Sequence, residues 1–201
     1  MCQLLETIRI ANKRLLHTGY HSARVNYSRA TLFGATDPWD LSKLISLPEL
    51  DEKTIYRCRF IYGQRVEKTE ILPYMPRQVS KLILVSGDSV EYSFKYTDRS
   101  ALDQLKNKAA PEAGSDILIV KNGLITDTSF SNIVFLKDGN WFTPAAPLLH
   151  GTKRSYYLNS GIIREATITP SDLPYYQKAR LINAMLDLED GRDVWVEDIG
   201  W

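Results

Sequence analysis

The chain has 201 residues, 44% of them hydrophobic and 24% charged, with 25 lysines and arginines against 24 aspartates and glutamates. A net charge of +1 supplies no field to hold a nucleic-acid backbone or an anionic membrane. The longest apolar runs, KLILV and DILIV, are strand-sized and far short of the ~20 residues that a bilayer span needs.

A small-molecule or protein partner is therefore expected, with no nucleic acid and no membrane. The opening text MCQLLETIRIANKR lacks a charged region followed by an apolar stretch and a cleavage site, so no export signal is read. Cys2 and Cys58 make no disulfide framework, which suits a reducing cytoplasm. His17, His21 and His150 lack a close Cys/His cluster, and no metal site is expected.

In chain order, LLETIRIANKRLL reads as a strand, a turn at Ala11-Asn12-Lys13 and a return. From His21 the text suits a helix with Ala23, Tyr27, Ala30 and Leu32 near one face and Gly34 as its stop. DPWDLSKLISL reads as a second helix start, Asp37 capping it and Pro38 at its first position. TIYRCRFIYGQRVEKTEIL alternates as a hairpin across Gly63-Gln64. The prolines of LPYMPRQV then break regular structure. We place a linker at 73–78, between a small N-terminal α/β domain (1–72) and a larger C-terminal domain (79–201), mainly antiparallel β with short helices.

Beyond the linker, KLILV is a buried strand and DRSALDQLKNKAA an amphipathic helix with Asp98 as its cap. DILIVKNGLITD and NIVFLKDGNWFTP are hairpins turning at Asn122-Gly123 and Asp138-Gly139. GTKRSYYLNSG is a short helix closed by Gly161, and REATIT, KARLINAM and DVWVED are further strands. Hairpins mixed with short helices predict an α+β fold with mainly antiparallel sheet.

There is no phosphate-binding glycine loop, dinucleotide fingerprint, nucleophile elbow or paired-histidine metal helix. Three short texts remain: FKYTDR, TDTSFSN and LLHGTKR. Singly they read as a surface lysine, a turn aspartate and a helix start. Their order and spacing resemble the class IV aminotransferase family, the fold-type IV pyridoxal-phosphate enzymes. LLETIRI is similar to that family's opening strand, HSARV to its His-x-x-Arg phosphate site, and GLITDTSFSNIVF to its Thr-Glu-x-x-x-x-Asn-Ile segment. FTPAAPLLHGTKR is similar to its Leu-x-Gly-Ile-Thr-Arg segment. YSFKYTDRSALDQL, ILPYMPR and LINAM resemble most the aminodeoxychorismate lyase-like subgroup.

The resemblance implies pyridoxal 5'-phosphate as cofactor and Lys95 as the Schiff-base lysine, desolvated by Phe94 and Tyr96 so that its amine pKa falls. It implies that Asp127, where the family usually has Glu, faces the pyridine nitrogen. Arg24 and the backbone N–H groups of Thr152 and Lys153 would hold the phosphate, with Lys153 standing where many relatives have Thr. His21 would brace its helix. Asn183 and Ala184 would lie near cofactor or substrate, and Arg99 and Arg77 are candidates for a substrate carboxylate.

The implied reaction is conversion of 4-amino-4-deoxychorismate to p-aminobenzoate and pyruvate. An amino-acid aminotransferase of D-amino-acid or branched-chain type is the alternative, and a non-catalytic cofactor-binding subunit the second. Relatives carry a longer stretch before the opening strand, so the pocket is expected to be more open or to be completed by a second subunit. The implied partners are an amino substrate, a second copy in a homodimer, and aminodeoxychorismate synthase in the pathway.

Overall fold

A computed structural model describes residues 2–201. The chain divides into two compact units: residues up to Pro76 together with Phe94–Asp98, and Arg77–Ser93 together with Arg99–Trp201.

The first unit is an antiparallel sheet with helices packed on it. Strand β1 (Leu4–Ala11) turns at Asn12 and Lys13, both at positive φ, into the short β2 (Arg14–Leu15). Strands β3 (Tyr56–Tyr62) and β4 (Val66–Pro73) complete the order β2-β1-β3-β4. Side chains alternate across a strand, so Leu4, Glu6, Ile8 and Ile10 of β1 share a buried face with Cys58, Phe60 and Tyr62 of β3. Helices α1 (Thr18–Phe33) and α2 (Leu41–Leu44) supply Val25 and Leu41 to that core. Phe94–Asp98 pairs with the start of β1: Leu5 donates to the Lys95 carbonyl at 2.9 Å, and Thr97 donates to the Gln3 carbonyl at 3.0 Å.

Both helices of this unit depart from expectation. Helix α1 begins at Thr18, three residues before His21, behind a left-handed His17, and it ends as expected at Gly34 with φ 66°. Its expected apolar face is only partly the buried one: Leu32 packs on the core. Ala23, Tyr27 and Ala30 are exposed, whereas His21, Val25, Ser28 and Arg29 are buried. The physical reason is Glu6, a carboxylate in the sheet's buried row that needs polar partners from the helix above it. Helix α2 is capped by Asp40, which accepts from the Ser42 N–H at 3.0 Å, and not by Asp37. Asp37 is taken by Arg29, whose guanidinium donates to the Asp37 carbonyl at 2.6 Å and to its carboxylate at 3.0 Å while stacking 3.6 Å over Trp39.

The second unit holds two sheets. One has the order β13-β5-β6-β7, from Lys81–Ser86 (β5), Ser115–Lys121 (β6), Leu124–Thr128 (β7) and Ile199–Gly200 (β13). The other has the order β10-β9-β8-β11-β12, from Asn132–Lys137 (β8), Asn140–Pro144 (β9), Ile163–Ala166 (β10), Lys178–Ile182 (β11) and Val194–Trp195 (β12). The β6-β7 and β8-β9 hairpins turn where Asn122-Gly123 and Asp138-Gly139 all take positive φ. The pairs β5-β6, β5-β13 and β9-β10 are parallel and the rest antiparallel.

Leu82, Leu118, Ile125, Ile133, Phe135 and Ala179 form the heart of its core. Helix α3 (Ser100–Ala109) has Arg99 at its N-cap with no side-chain cap, so Asp98 does not play that part. Helix α4 (Thr152–Asn159) follows Gly151. The architecture is α+β with mainly antiparallel sheet, as the hairpin-rich sequence predicts.

Candidate active site

In the first unit, backbone pairing with β1 fixes Lys95, half-buried between Phe94 and Tyr96. The two rings meet edge-on at 6.0 Å, and Phe94 stacks on Tyr27 at 5.9 Å. Beside it lies a network around Glu6. The carboxylate accepts from Arg24 Nε at 2.8 Å and Nη2 at 2.6 Å, and lies 2.5 Å from His21 Nδ1. Burial by itself would raise the Glu6 pKa, but Arg24 and His21 overcome it and bring the group down to about 2. His21 is pushed down by burial and by the Arg24 and Lys95 charges, against the pull of Glu6. The Arg24 fork is thus anchored on a buried carboxylate, and His21 braces the same group.

In the second unit, Asp127 ends β7 as a buried carboxylate. Its Oδ1 accepts from Asn132 Nδ2 at 2.7 Å and its Oδ2 from the Leu149 N–H at 2.9 Å. Burial raises its pKa to about 6 against those hydrogen bonds and the Arg154 charge. Gly151 precedes α4, whose first-turn N–H groups lack helical acceptors and mark the positive end of the helix dipole. A Cβ on Gly151 would fall 1.8 Å from Asn132 Oδ1, so any larger residue there has to displace the Asn132 amide.

Thr152 and Lys153 are buried, and the Lys153 ammonium is directed onto Asp187, between the rings of Tyr156 and Tyr157. Asn183 donates from Nδ2 to Ser131 Oγ and accepts the Met185 N–H at Oδ1, both at 2.8 Å, with Ala184 in the turn so formed. The segments 127–132, 149–153 and 183–189 are therefore tied together by Asn132 and Asp127 on the Leu149 backbone, by Ser131–Asn183 and by Lys153–Asp187.

The two arginines proposed for a substrate carboxylate are engaged within the second unit. Arg99 donates to the Ser129 carbonyl at 2.6 Å, and Arg77 donates to the Ser115 carbonyl at 3.0 Å and lies 3.8 Å from Asp116. Asp116 itself is fully buried and accepts from Lys106 at 2.6 Å and Ser129 Oγ at 2.7 Å.

Sequence reasoning missed Glu6, Asn132 and Asp187. Glu6 left a usable signal, an acid on the inward phase of an otherwise apolar strand. Asn132 stands in the quoted TDTSFSN text. Asp187 left none. On the other face of the first sheet Arg9 lies directly opposite Arg57, and both charges act on the Tyr74 hydroxyl.

Residues 3–189 match the family model described as amino-transferase class IV. The chain belongs to the class IV aminotransferase family. Members are pyridoxal-phosphate enzymes, and so is this protein. An "uncharacterized protein" of Haemophilus influenzae is 34% identical over 187 residues, 92% of this chain and 98% of the relative. A "putative 4-amino-4-deoxychorismate lyase" from Haemophilus somnus is 30% identical and superposes with a TM-score of 0.85 over 94% of this chain and 98% of its own. A "putative amino-acid aminotransferase" from Mesorhizobium loti shares the fold at 22% identity, with a TM-score of 0.80 over 96% and 99%.

Proposed function

We propose that this class IV enzyme is an aminodeoxychorismate lyase, converting 4-amino-4-deoxychorismate to p-aminobenzoate and pyruvate. The observation that carries this reading is the match, along nearly the full length of both chains, to the Haemophilus somnus structure of that name. The subgroup texts around Lys95 and at Asn183-Ala184-Met185 support it.

The donor set fits pyridoxal phosphate. A ring N–H needs an acceptor in a dry setting, which Asp127 offers with its raised pKa. A phosphate needs N–H donors and positive charge; the Thr152 and Lys153 backbone offers the donors, and Arg24 is the charge that the family resemblance assigns to it. When bound, the cofactor supplies an electron sink beside the substrate amine. Lys95 would hold the cofactor in the resting enzyme and, once the substrate amine has taken its place, its freed amine would accept the proton from the amine-bearing ring carbon. As that C–H bond breaks, the bond from the ring to the enolpyruvyl oxygen also breaks, the ring becomes aromatic, and the departing enolpyruvate takes up a proton at its methylene carbon to become pyruvate. Asn183 and Ala184 border the same frame.

The substrate carries carboxylates. Arg99 and Arg77 are held by the second unit's own groups, and Arg9 and Arg57, whose charges both reach Tyr74, are a further source of positive charge for one of them. Arg77 and Arg99 then act by fixing the Ser115 and Ser129 backbone.

The aminotransferase reading has the Mesorhizobium loti likeness behind it and uses the same lysine. Feeding purified protein 4-amino-4-deoxychorismate and measuring p-aminobenzoate, beside a screen of amino donors with 2-oxoglutarate or pyruvate, separates the two. p-Aminobenzoate with no transamination supports the lyase. Transamination without p-aminobenzoate sinks it, and neither product, with cofactor bound, points to a non-catalytic subunit.

A further inference from the structure

The amide of Asn132 touches three things at once. Its Nδ2 donates to Asp127 Oδ1 at 2.7 Å and to the Leu149 carbonyl at 2.9 Å, while Asp127 Oδ2 accepts the Leu149 N–H at 2.9 Å. A closed ring of hydrogen bonds results, joining the end of β7, the start of β8 and the turn that enters α4. The amide oxygen fills the space where Gly151 would carry a Cβ. Both oxygens of the carboxylate are thereby given a fixed direction in a buried setting, where a lost partner is costly.

We infer that Asn132 is the positioning residue of the site: it orients the Asp127 carboxylate and locks it to the Leu149–Gly151 turn, so that the acid and the N-terminus of α4 hold one geometry. The inference rests on the reading that Asp127 faces the cofactor ring. A short aspartate arm tolerates less sway than a longer one before it loses its target, so a clamp on both oxygens is the compensation that such an arm needs. Arg154, the charged neighbour in α4, is turned to the Pro144 carbonyl and Glu165 and supplies only a distant field at Asp127.

The test begins without cofactor. The Asp127 carboxyl carbon is titrated by NMR in the wild type, Asn132→Ala and Gly151→Ala. Removing the amide donor should raise the Asp127 midpoint by about one pH unit. Gly151→Ala keeps the amide but displaces it, and at φ −70° alanine fits the backbone, so the midpoint should move the same way in a protein that still folds. With cofactor loaded, both variants should lower kcat at least tenfold with KM little changed, and shift the pH profile of the cofactor's absorption band. Asn132→Gln, too long for the ring, should not rescue. Unmoved midpoints in both variants overturn the clamp. If instead the midpoints move while Asp127→Asn leaves the cofactor band and its pH profile untouched, the clamp stands and the ring-partner reading falls.

Discussion

Glu6 and Asp127 are carboxylates buried in the two units, and their neighbours drive them in opposite directions. Glu6 falls to about 2 from an ordinary 4.5 because Arg24 and His21 outweigh its burial. A depressed acid stabilises the fold above its unfolded-state value and loses that contribution as pH falls through the folded value. The wild type should therefore lose stability between pH 4.5 and 2. Glu6→Gln should flatten that limb in denaturation curves while costing on the order of 3 kcal/mol at neutral pH, because Arg24 keeps a buried charge without its counter-ion.

Asp127 rises from 3.8 to about 6, and the sign reverses: the native state holds the proton longer, so cofactor-free protein should lose stability as pH rises through that interval. Asp127→Asn should remove the slope. Asp127→Ala should keep some cofactor yet lose turnover roughly 10²-fold or more. Lys95→Ala should abolish the absorption of covalently held cofactor along with turnover; a variant that keeps both takes Lys95 out of the site.

At the scale of elements, polar pairing decides packing as often as apolar periodicity does. Helix α1 buries Arg29, and through it the Asp37–Trp39 segment is held against the helix. Arg29→Met should lower the unfolding midpoint and release the Trp39 fluorescence signal at lower denaturant; an unchanged Trp39 transition means the segment is held by something else. The β1-β3 pairing sets Arg9 opposite Arg57, and both charges reach Tyr74. Arg57→Met should raise KM for the carboxylate-bearing substrate about tenfold with a smaller change in kcat. Equal losses in both would assign it to the chemical step instead.

The hairpin turns were legible because Asn-Gly and Asp-Gly are the residues that take two successive positive φ angles cheaply. The buried side of α1 was not, because apolar spacing cannot register a face built for Glu6.

For the whole molecule, the class IV family accounts for 187 of the 201 residues, and we propose a homodimer working beside aminodeoxychorismate synthase. Light scattering of the cofactor-loaded protein should give twice the 22.9 kDa chain mass, and a monomer with full lyase activity would end that proposal.

The sequence by itself determined the α+β class, the hairpins, the helix stop at Gly34 and the cofactor family, since each rests on local backbone preference or on short texts at fixed spacing. Tertiary structure alone decided what those texts touch. The Lys95 carbonyl pairs with Leu5 of β1, Glu6 takes the Arg24 fork, Asp187 takes Lys153, and Asn132 closes on Leu149 and Gly151. These contacts join residues distant in the chain. Their energies come from burial and from charge pairing, which no one-dimensional period encodes.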